Sequence, residues 1–341
     1  MAAKVTSNGK TSFFIGIGWI SSSKCHCQKP KLSKQKSNQS LMPILTAGAL
    51  RLFQTGLQTS AERLSFSVMT NPTEALGIIA GNRSLPLAFA REARRSGVLR
   101  LVAVAFEGET NPELASLVDE IVWLRVGQLS KMIAAFTDRG ITQCVMVGQI
   151  APKNLFDFRP DLRAMTLLLK LKEKNAHTIF GAIANELKKD GVELIEATPW
   201  LKPLMPGSGF HLGHKLSESQ QADVAFGFRI AKECSRLEIG QSVVVKKGTV
   251  LAVEGFEGTD KCLARGGELS GNQGGAVAVK VASEKHDWRF DIPCVGLQTI
   301  ETCAAAKISV LALEAGKTLL LDREQVEEVI SRGILSLTTV G

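Results

Sequence analysis

Short apolar runs alternate with amphipathic stretches between residues 76 and 148, and two of these runs end in glycine. Continuous apolar runs of this length are typical of parallel strands that are buried on both faces. Strands are predicted at Leu76–Gly81, Leu101–Phe106, Glu120–Leu124 and Cys144–Gly148, with helices at Pro86–Arg95 and Gln128–Arg139. Strands and helices that alternate in this way form right-handed βαβ units. The sequence therefore predicts an α/β fold with an open parallel sheet.

A second set of elements follows a connection rich in proline and glycine at 199–215. Before it, 161–192 predicts two more helices, and after it 216–237 predicts one long amphipathic helix. From residue 240 the expected strands lie near 242–246, 249–255, 276–281, 308–313 and 319–322, with helices after 258 and at 324–330. We predict a Rossmann-like N-terminal domain over 75–210, a linker helix over 216–237 and a C-terminal α/β domain over 240–341.

The positive charge of the chain lies entirely in its first part. The 341 residues carry a formal net charge of +8, and residues 1–61 hold eight Lys and Arg but no Asp or Glu. We interpret 1–68 as a basic leader of low order or a mis-assigned start, and favour a start at Met69 over a targeting segment. The remainder is neutral overall, so no nucleic-acid partner is expected.

Other features of the composition narrow the class of protein. No apolar run reaches the ~18 residues of a membrane span, which excludes an integral membrane protein. The seven cysteines are an odd number scattered through apolar context. A disulfide framework is not expected in a chain of this size, so a reducing compartment fits better.

Ligands of open parallel sheets bind at the carboxyl ends of the strands. The segments Gly81–Ser84 and Gly148–Gln149 fall at two such ends, and Gly81, Asn82 and Gly148 are therefore candidate binding residues. The glycine pattern is not Gly-x-Gly-x-x-Gly, so it gives little support to a nicotinamide oxidoreductase.

A cluster of acidic residues follows the apolar run Val250–Val253. Thr259 is a natural N-cap for a helix there, and backbone N–H groups at a helix start favour an anion. The carboxylates Glu254, Glu257 and Asp260 lie around the same turn. Phosphate chemistry needs a divalent cation as well as an anion site, so this cluster is a candidate phosphate and metal site. The alternative is a capped helix with solvated acids.

A second candidate cluster spans Asp287–Pro293. Its alternation places Asp287, Arg289 and Asp291 on one face of a predicted strand. A cation beside carboxylates can hold a phosphate and its metal or water, whereas the alternative is an edge strand with an exposed ion pair. The segment Glu314–Thr318 lacks the first glycine of a P-loop and precedes a predicted strand rather than a helix, so it is not one.

Over about 75–341 the chain resembles the UDP-2,3-diacylglucosamine pyrophosphatase family of the LpxI type. The segments that carry the resemblance are Leu76–Gly81, Leu85-Pro86, Val147-Gly148, Leu237–Gln241, Leu251–Glu254, Glu257-Gly258-Thr259-Asp260, Arg265, Arg289-Phe-Asp291-Ile-Pro293, Gly296, Thr299–Glu301 and Glu314–Thr318. The chain departs from the family pattern at Arg83, where a second glycine is common, and at Ser283–His286.

The resemblance implies a cytoplasmic enzyme, peripheral to the inner membrane and dimeric, in lipid A biosynthesis. It implies cleavage of UDP-2,3-diacylglucosamine into UMP and 2,3-diacylglucosamine 1-phosphate by the C-terminal domain, with Mg²⁺ as metal. By residue match, Asp291 is the essential catalytic carboxylate.

Combined with the clusters, the resemblance suggests roles for further residues. Asp291 would bind or orient Mg²⁺ or its water, and Glu254, Glu257 or Asp260 would complete the metal shell. The cations Arg265, Lys280 and Arg289 would offset pyrophosphate charge, and Gly258 and Thr259 would contact the substrate. The alternatives are a nucleotide-sugar binding protein without catalysis and, less favoured, a nicotinamide oxidoreductase.

Overall fold

The structure is a computed structural model that describes residues 74–150, 160–173, 176–283 and 287–341. These residues all belong to one compact unit, Ser67–Gly341. The predicted leader over 1–68 lies outside them. Among the described helices, none combines the length and the apolar composition that crossing a membrane requires.

The first half contains a five-stranded parallel sheet. Its strands are β1 (Ala75–Ala80), β2 (Arg100–Phe106), β3 (Glu120–Leu124), β4 (Gln143–Val147) and β5 (Glu193–Leu194), in the order β3-β2-β1-β4-β5. The predicted parallel sheet is therefore confirmed, as are the four strands expected within it.

Helices cover both faces of this sheet. They are α1 (Leu85–Arg95), α2 (Leu129–Thr137), α3 (Leu162–Lys170), α4 (Ala176–Lys189) and the short α5 (Thr198–Leu201). Ile78 packs on one face with Phe89 of α1, and its neighbour Ile79 packs on the other with Phe136 of α2. Successive residues of one strand serve both layers because side chains alternate across a sheet.

The second half contains a six-stranded mixed sheet and a separate two-stranded pair. In chain order the strands are β6 (His211–Leu212), β7 (Ser242–Lys246), β8 (Thr249–Val253), β9 (Ala276–Lys280), β10 (Cys294–Val295), β11 (Ile308–Glu314), β12 (Leu319–Leu320) and β13 (Ser336–Val340). The large sheet has the order β6-β13-β11-β9-β7-β8, and β10 pairs in parallel with β12.

Four helices flank this large sheet: α6 (Glu218–Arg236), α7 (Thr259–Leu269), α8 (Leu297–Ala305) and α9 (Arg323–Ser331). The helix predicted over 216–237 is α6, which begins at a capping box formed by Ser217 and Gln220. Val224 of α6 packs on one face of the large sheet, and α7, α8 and α9 cover the other.

The pair β10–β12 connects the two halves. Ile292, Leu319 and Leu321 belong to the apolar cluster that contains Phe89 of α1, beside the first sheet. The segment that leads into β10 is thus packed against the N-terminal half, and it carries Asp291 to that half.

Four elements of the second half were not predicted from the sequence: β6, β10, α8 and β13. The strand predicted near 319–322 is followed by one more, because β13 comes after α9 and lies inside the large sheet between β11 and β6. The strands near 242–246, 249–255, 276–281 and 308–313 are confirmed within a few residues.

Candidate active site

The carboxyl ends of β1 and β4 meet at a close contact between their two following loops. The Gly81 N–H donates to Val147 O at 2.8 Å, and the Asn82 N–H donates to Gln149 O at 2.6 Å. A Cβ at Gly81 would lie 2.4 Å from Gln149 O. Only glycine permits this approach, so the predicted binding residues Gly81 and Asn82 are held beside Gly148.

A polar cavity of about 480 Å³ opens at this edge, between the first sheet and the β10 region. Its polar and charged lining includes Asn82, Arg83, Ser84, Asn111, Gln149, Asp291, Gln298, Thr299, Glu301 and Asp322. The cavity therefore brings the N-terminal strand ends and the predicted catalytic carboxylate together. The cation in its wall is Arg83.

The segment before Asp291 forms a turn. The prediction of a strand over Asp287–Pro293 is therefore wrong. The carbonyl of Asp287 accepts the N–H groups of Phe290 at 3.1 Å and Asp291 at 2.9 Å. Its carboxylate accepts the backbone N–H of Arg289 at 3.2 Å and pairs with the guanidinium through Nε at 2.8 Å and Nη2 at 2.6 Å. An aspartate that bonds its own neighbourhood in this way competes with a strand ladder.

Asp322 is a cavity residue that sequence reasoning missed. Its carboxylate accepts a hydrogen bond from the hydroxyl of Ser84 at 3.1 Å, which links the start of α1 to the second half. Asp322 has a left-handed backbone, with φ of +54°, and a Cβ at Gly296 would lie 2.9 Å from its Oδ2. The available signal was a single acid directly after the buried run Leu319–Leu321.

The side chains of the 254–260 cluster form a chain of hydrogen bonds outside the polar cavity. Lys280 Nζ donates to Thr259 Oγ1 at 2.9 Å, and this hydroxyl donates to Glu254 Oε1 at 2.9 Å. Helix α7 begins at Thr259 with Gly258 as its N-cap, so the prediction that Thr259 is the N-cap is wrong. The hydroxyl of Thr259 instead joins the Lys280 ammonium to the Glu254 carboxylate.

Glu257 and Asp260 have different partners. Arg265 donates to Glu257 at 2.5 Å and to the carbonyl of Val253 at 2.9 Å, and the hydrogen bond from this guanidinium lowers the pKa of Glu257. Asp260 accepts from Gln298 Nε2 at 3.1 Å and Thr299 Oγ1 at 3.2 Å. Asp260 does not line the polar cavity itself, but it is hydrogen-bonded to Gln298 and Thr299, which do.

Cys294 lies among charged residues of the polar cavity. Burial raises the pKa of its thiol. Arg83 and Lys280 act against this shift, whereas Asp291 and Asp322 add to it. These charges from the two halves therefore lie within electrostatic range of one sulfur atom.

An apolar cavity of about 290 Å³ adjoins the polar one in the N-terminal half. Its lining includes Ile79, Phe106, Leu129, Met132, Met146, Ala164, Leu167, Leu168, Phe180 and Ile183. Met146 lines both cavities, and Phe180 of this cavity packs against Phe290 of the other with ring centroids 5.4 Å apart. From the sequence these residues could not be distinguished from ordinary core.

Two protein-family models match nearly all of the chain between residues 75 and 338. Residues 75–204 match the LpxI N-terminal domain, and residues 207–338 match the LpxI C-terminal domain. This chain belongs to the LpxI family. It is 30% identical over 266 residues to the UDP-2,3-diacylglucosamine pyrophosphatase LpxI of Caulobacter vibrioides, covering 74% of this chain and 92% of that protein. This member of the LpxI family is therefore an enzyme of the hydrolase class, as the resemblance implied.

Solved structures similar to this LpxI-family chain match only weakly. The urea amidolyase of K. lactis matches 52% of this chain and 8% of its own length, with 13% identity and a TM-score of 0.24. The N5-carboxyaminoimidazole ribonucleotide synthetase of Thermotoga maritima matches 54% and 42%, with 14% identity and a TM-score of 0.21. Neither carries an argument about this fold or its site.

The structure does not bring together the carboxylates that the sequence clusters suggested as a metal shell. Among the residues that the structure describes, no group of three or more His, Cys, Asp or Glu side chains could hold a metal ion. Glu257 is paired with Arg265, and Asp260 is bonded to α8, so they do not join Asp291. The carboxylates that do line one cavity with Asp291 are Glu301 and Asp322.

Proposed function

We propose that this protein hydrolyses the pyrophosphate bond of UDP-2,3-diacylglucosamine, giving UMP and 2,3-diacylglucosamine 1-phosphate for lipid A biosynthesis. The observation that carries the proposal is the contact between two unlike cavities through Met146. A diacylated nucleotide sugar has a charged diphosphate and apolar chains, and each part has a matching cavity. The activity for which the Caulobacter vibrioides relative is named supports the same substrate.

In this proposal the groups that contact the substrate come from both halves. Asp291 is the catalytic carboxylate, contributed by the turn before β10. Asn82 contributes its Oδ1, a buried acceptor that has no hydrogen-bond partner within the described residues, while its Nδ2 donates to Glu109 at 2.8 Å. A buried acceptor of this kind is costly unless a ligand N–H or O–H satisfies it.

Arg83 takes the role of offsetting diphosphate charge. It lines the cavity and has no ion-pair partner among the described residues, whereas Arg265 and Arg289 are each paired with a carboxylate. Lys280 is bonded to Thr259. We therefore assign to Arg83 most of the compensation of diphosphate charge that was expected of Arg265, Lys280 and Arg289. A guanidinium is well suited to phosphate oxygens because of its planar fork of donors.

We also propose that the enzyme uses Mg²⁺ and that fewer protein carboxylates hold this ion than the sequence suggested. Mg²⁺ is commonly held by one or two carboxylates together with substrate phosphates. Asp291 and Asp322 are the carboxylates that would hold it, since both line the polar cavity. When bound, such an ion neutralises phosphate charge and lowers the pKa of attached water.

We further propose a cytoplasmic enzyme that associates with the inner-membrane surface and acts as a homodimer. The proposed substrate carries two acyl chains, so a position at a lipid surface suits it. Binding without catalysis and nicotinamide chemistry gain no support from the family models or from the curated relative.

The experiment that tests the proposal is phosphorus NMR of UDP-2,3-diacylglucosamine with the full chain, with and without Mg²⁺. We expect UMP and the sugar 1-phosphate to appear only with the metal. Asp291→Asn should still bind the substrate and release no UMP, and Asp119→Asn, far from the cavity, is the matched control. Substrate binding by the folded wild type without UMP release would contradict the proposed reaction.

A further inference from the structure

Helix α3 is apolar on two faces, and only one of them is covered. Ala164 and Leu167 are buried and line the apolar cavity. On the other side Leu162 is 82% exposed, Met165 48% and Leu169 78%. Spacings of three and four residues place these three side chains on one face of a helix. We call Leu162, Met165 and Leu169 the outer face of α3.

Such a face needs an explanation. Single apolar side chains are normal on a protein surface, but a contiguous stripe marks a site that binds a partner or a membrane. Three of the nine residues of α3 form this outer face, whereas Leu167 and Leu168 line the cavity on the other side. Amphipathic helices that lie in a membrane interface present such apolar stripes beside basic residues.

The charges at the end of α3 favour an anionic lipid surface. Lys170 and Lys172 are exposed and form no ion pair with any residue that the structure describes, and together with the neighbouring acid Glu173 they leave a net positive charge at this end of the helix. Arg163 adds no free charge, because it is paired with Glu186 and Asp190. Lysines beside an apolar stripe complement anionic headgroups.

The inner side of the same helix leads to the apolar cavity. Leu167 and Leu168 form part of the cavity wall, one helical turn or less from the exposed Met165 and Leu169. A helix that rests on a bilayer through its outer face would therefore hold the cavity wall next to the lipid.

We propose that the outer face of α3 docks on a bilayer that contains anionic phospholipid, and that acyl chains reach the apolar cavity past this helix. The docking itself needs no assumption about the reaction, whereas the passage of acyl chains rests on the proposed function.

Vesicle sedimentation of the full chain tests the docking in the absence of substrate. The vesicles consist of phosphatidylethanolamine and phosphatidylglycerol in equal parts. We expect the double variant Leu162→Ser, Leu169→Ser to lower vesicle binding at least tenfold. The matched control is Leu269→Ser on α7, a leucine of similar helical setting that is 58% exposed and should leave binding unchanged. Lys170→Gln with Lys172→Gln should weaken binding and remove most of its salt dependence.

The outcomes separate this proposal from the reaction. Exposed positions tolerate serine, so circular dichroism should show the wild-type fold for each variant. The double variant should release UMP normally from detergent-dispersed substrate and slowly from substrate embedded in vesicles. Vesicle binding without UMP release would overturn the reaction and keep the docking. UMP release without vesicle binding would overturn the docking, as would a change in sedimenting mass that shows the face to join two copies of the chain.

Discussion

Replacing Arg83 by glycine tests two properties of this residue: the strain in its backbone and the positive charge that it adds to the polar cavity. Arg83 has a left-handed backbone, with φ of +64°, directly after the close contact of Gly81 with Gln149. Non-glycine residues are strained there, and observed strain of this kind points to a functional role. The family resemblance includes a common glycine at this position, which the left-handed backbone explains. Arg83 therefore places a cation in the cavity wall although its backbone is strained.

The two effects of Arg83→Gly have opposite signs. Relief of a left-handed residue with a Cβ is worth about 1–2 kcal/mol. Glycine also gives the unfolded chain more conformational freedom, which lowers the free energy of unfolding by about 0.4–1 kcal/mol. We expect the free energy of unfolding to rise by roughly 0–1.5 kcal/mol.

The catalytic effect follows from the lost cation. A hydrogen bond to a charged group contributes about 1.5–3 kcal/mol. Arg83 is exposed, so solvent screens it and the lower part of this range applies. The expected loss in kcat/KM is roughly 10- to 30-fold.

Urea denaturation and UMP release measure the two effects on the same preparation. Arg83→Ala is the control, because it loses the cation but keeps a Cβ on the left-handed backbone. It should match Arg83→Gly in kcat/KM and be less stable. A glycine variant with unchanged kcat/KM would remove Arg83 from diphosphate binding, and one that is clearly less stable than the wild type would refute the strain argument.

Two further changes test other parts of the site, and a third tests a buried ion pair of the second half. Gly81→Ala should abolish UMP release and lower stability by more than about 1–3 kcal/mol, because its Cβ would lie 2.4 Å from Gln149 O; both are read by UMP assay and urea melts. Phe180→Ala should lower kcat/KM for long acyl chains more than for short ones, and an equal loss for both would contradict its place in the apolar cavity. Burial raises the pKa of Glu314, but bonds from Lys317, the Ala282 N–H and Lys232 outweigh this and lower it overall. Its stabilisation is therefore present above the unfolded value near 4.5 and is lost as the pH falls through the lower folded value. Glu314→Gln should cost about 1.5–3 kcal/mol at pH 7, and the difference from the wild type in urea melts should shrink below pH 4.

The large elements of the fold could be predicted because their apolar patterns are long enough to specify one structure. The strand at Glu120–Leu124 was predicted to the residue, and α1 within one residue. The two-residue strand β10 has no pattern of its own and exists because Leu319 and Leu320 pair with it. Its register is set by tertiary contacts.

The candidate site was predicted only in part for the same reason. Asp291 and the strand ends were found from local motifs, and the structure places them around one cavity. The alternation of Asp287, Arg289 and Asp291 fits a strand, yet the local ion pair within the segment stabilises a turn instead. Neither this choice nor the pairing of Glu257 with Arg265 is visible in sequence spacing.

The hydrogen bond between Ser84 and Asp322 links the two halves at the polar cavity, and both halves contribute to the candidate site. The first half alone offers strand ends, a cation and an apolar cavity, but among the described residues it contributes no carboxylate to the polar cavity wall. Asp291, Glu301 and Asp322 all come from the second half. Ile292 packs into the first half directly after Asp291, which fixes the carboxylate at the strand ends. Separating the halves would therefore remove the acids from the cation and the apolar cavity, and neither half alone should release UMP.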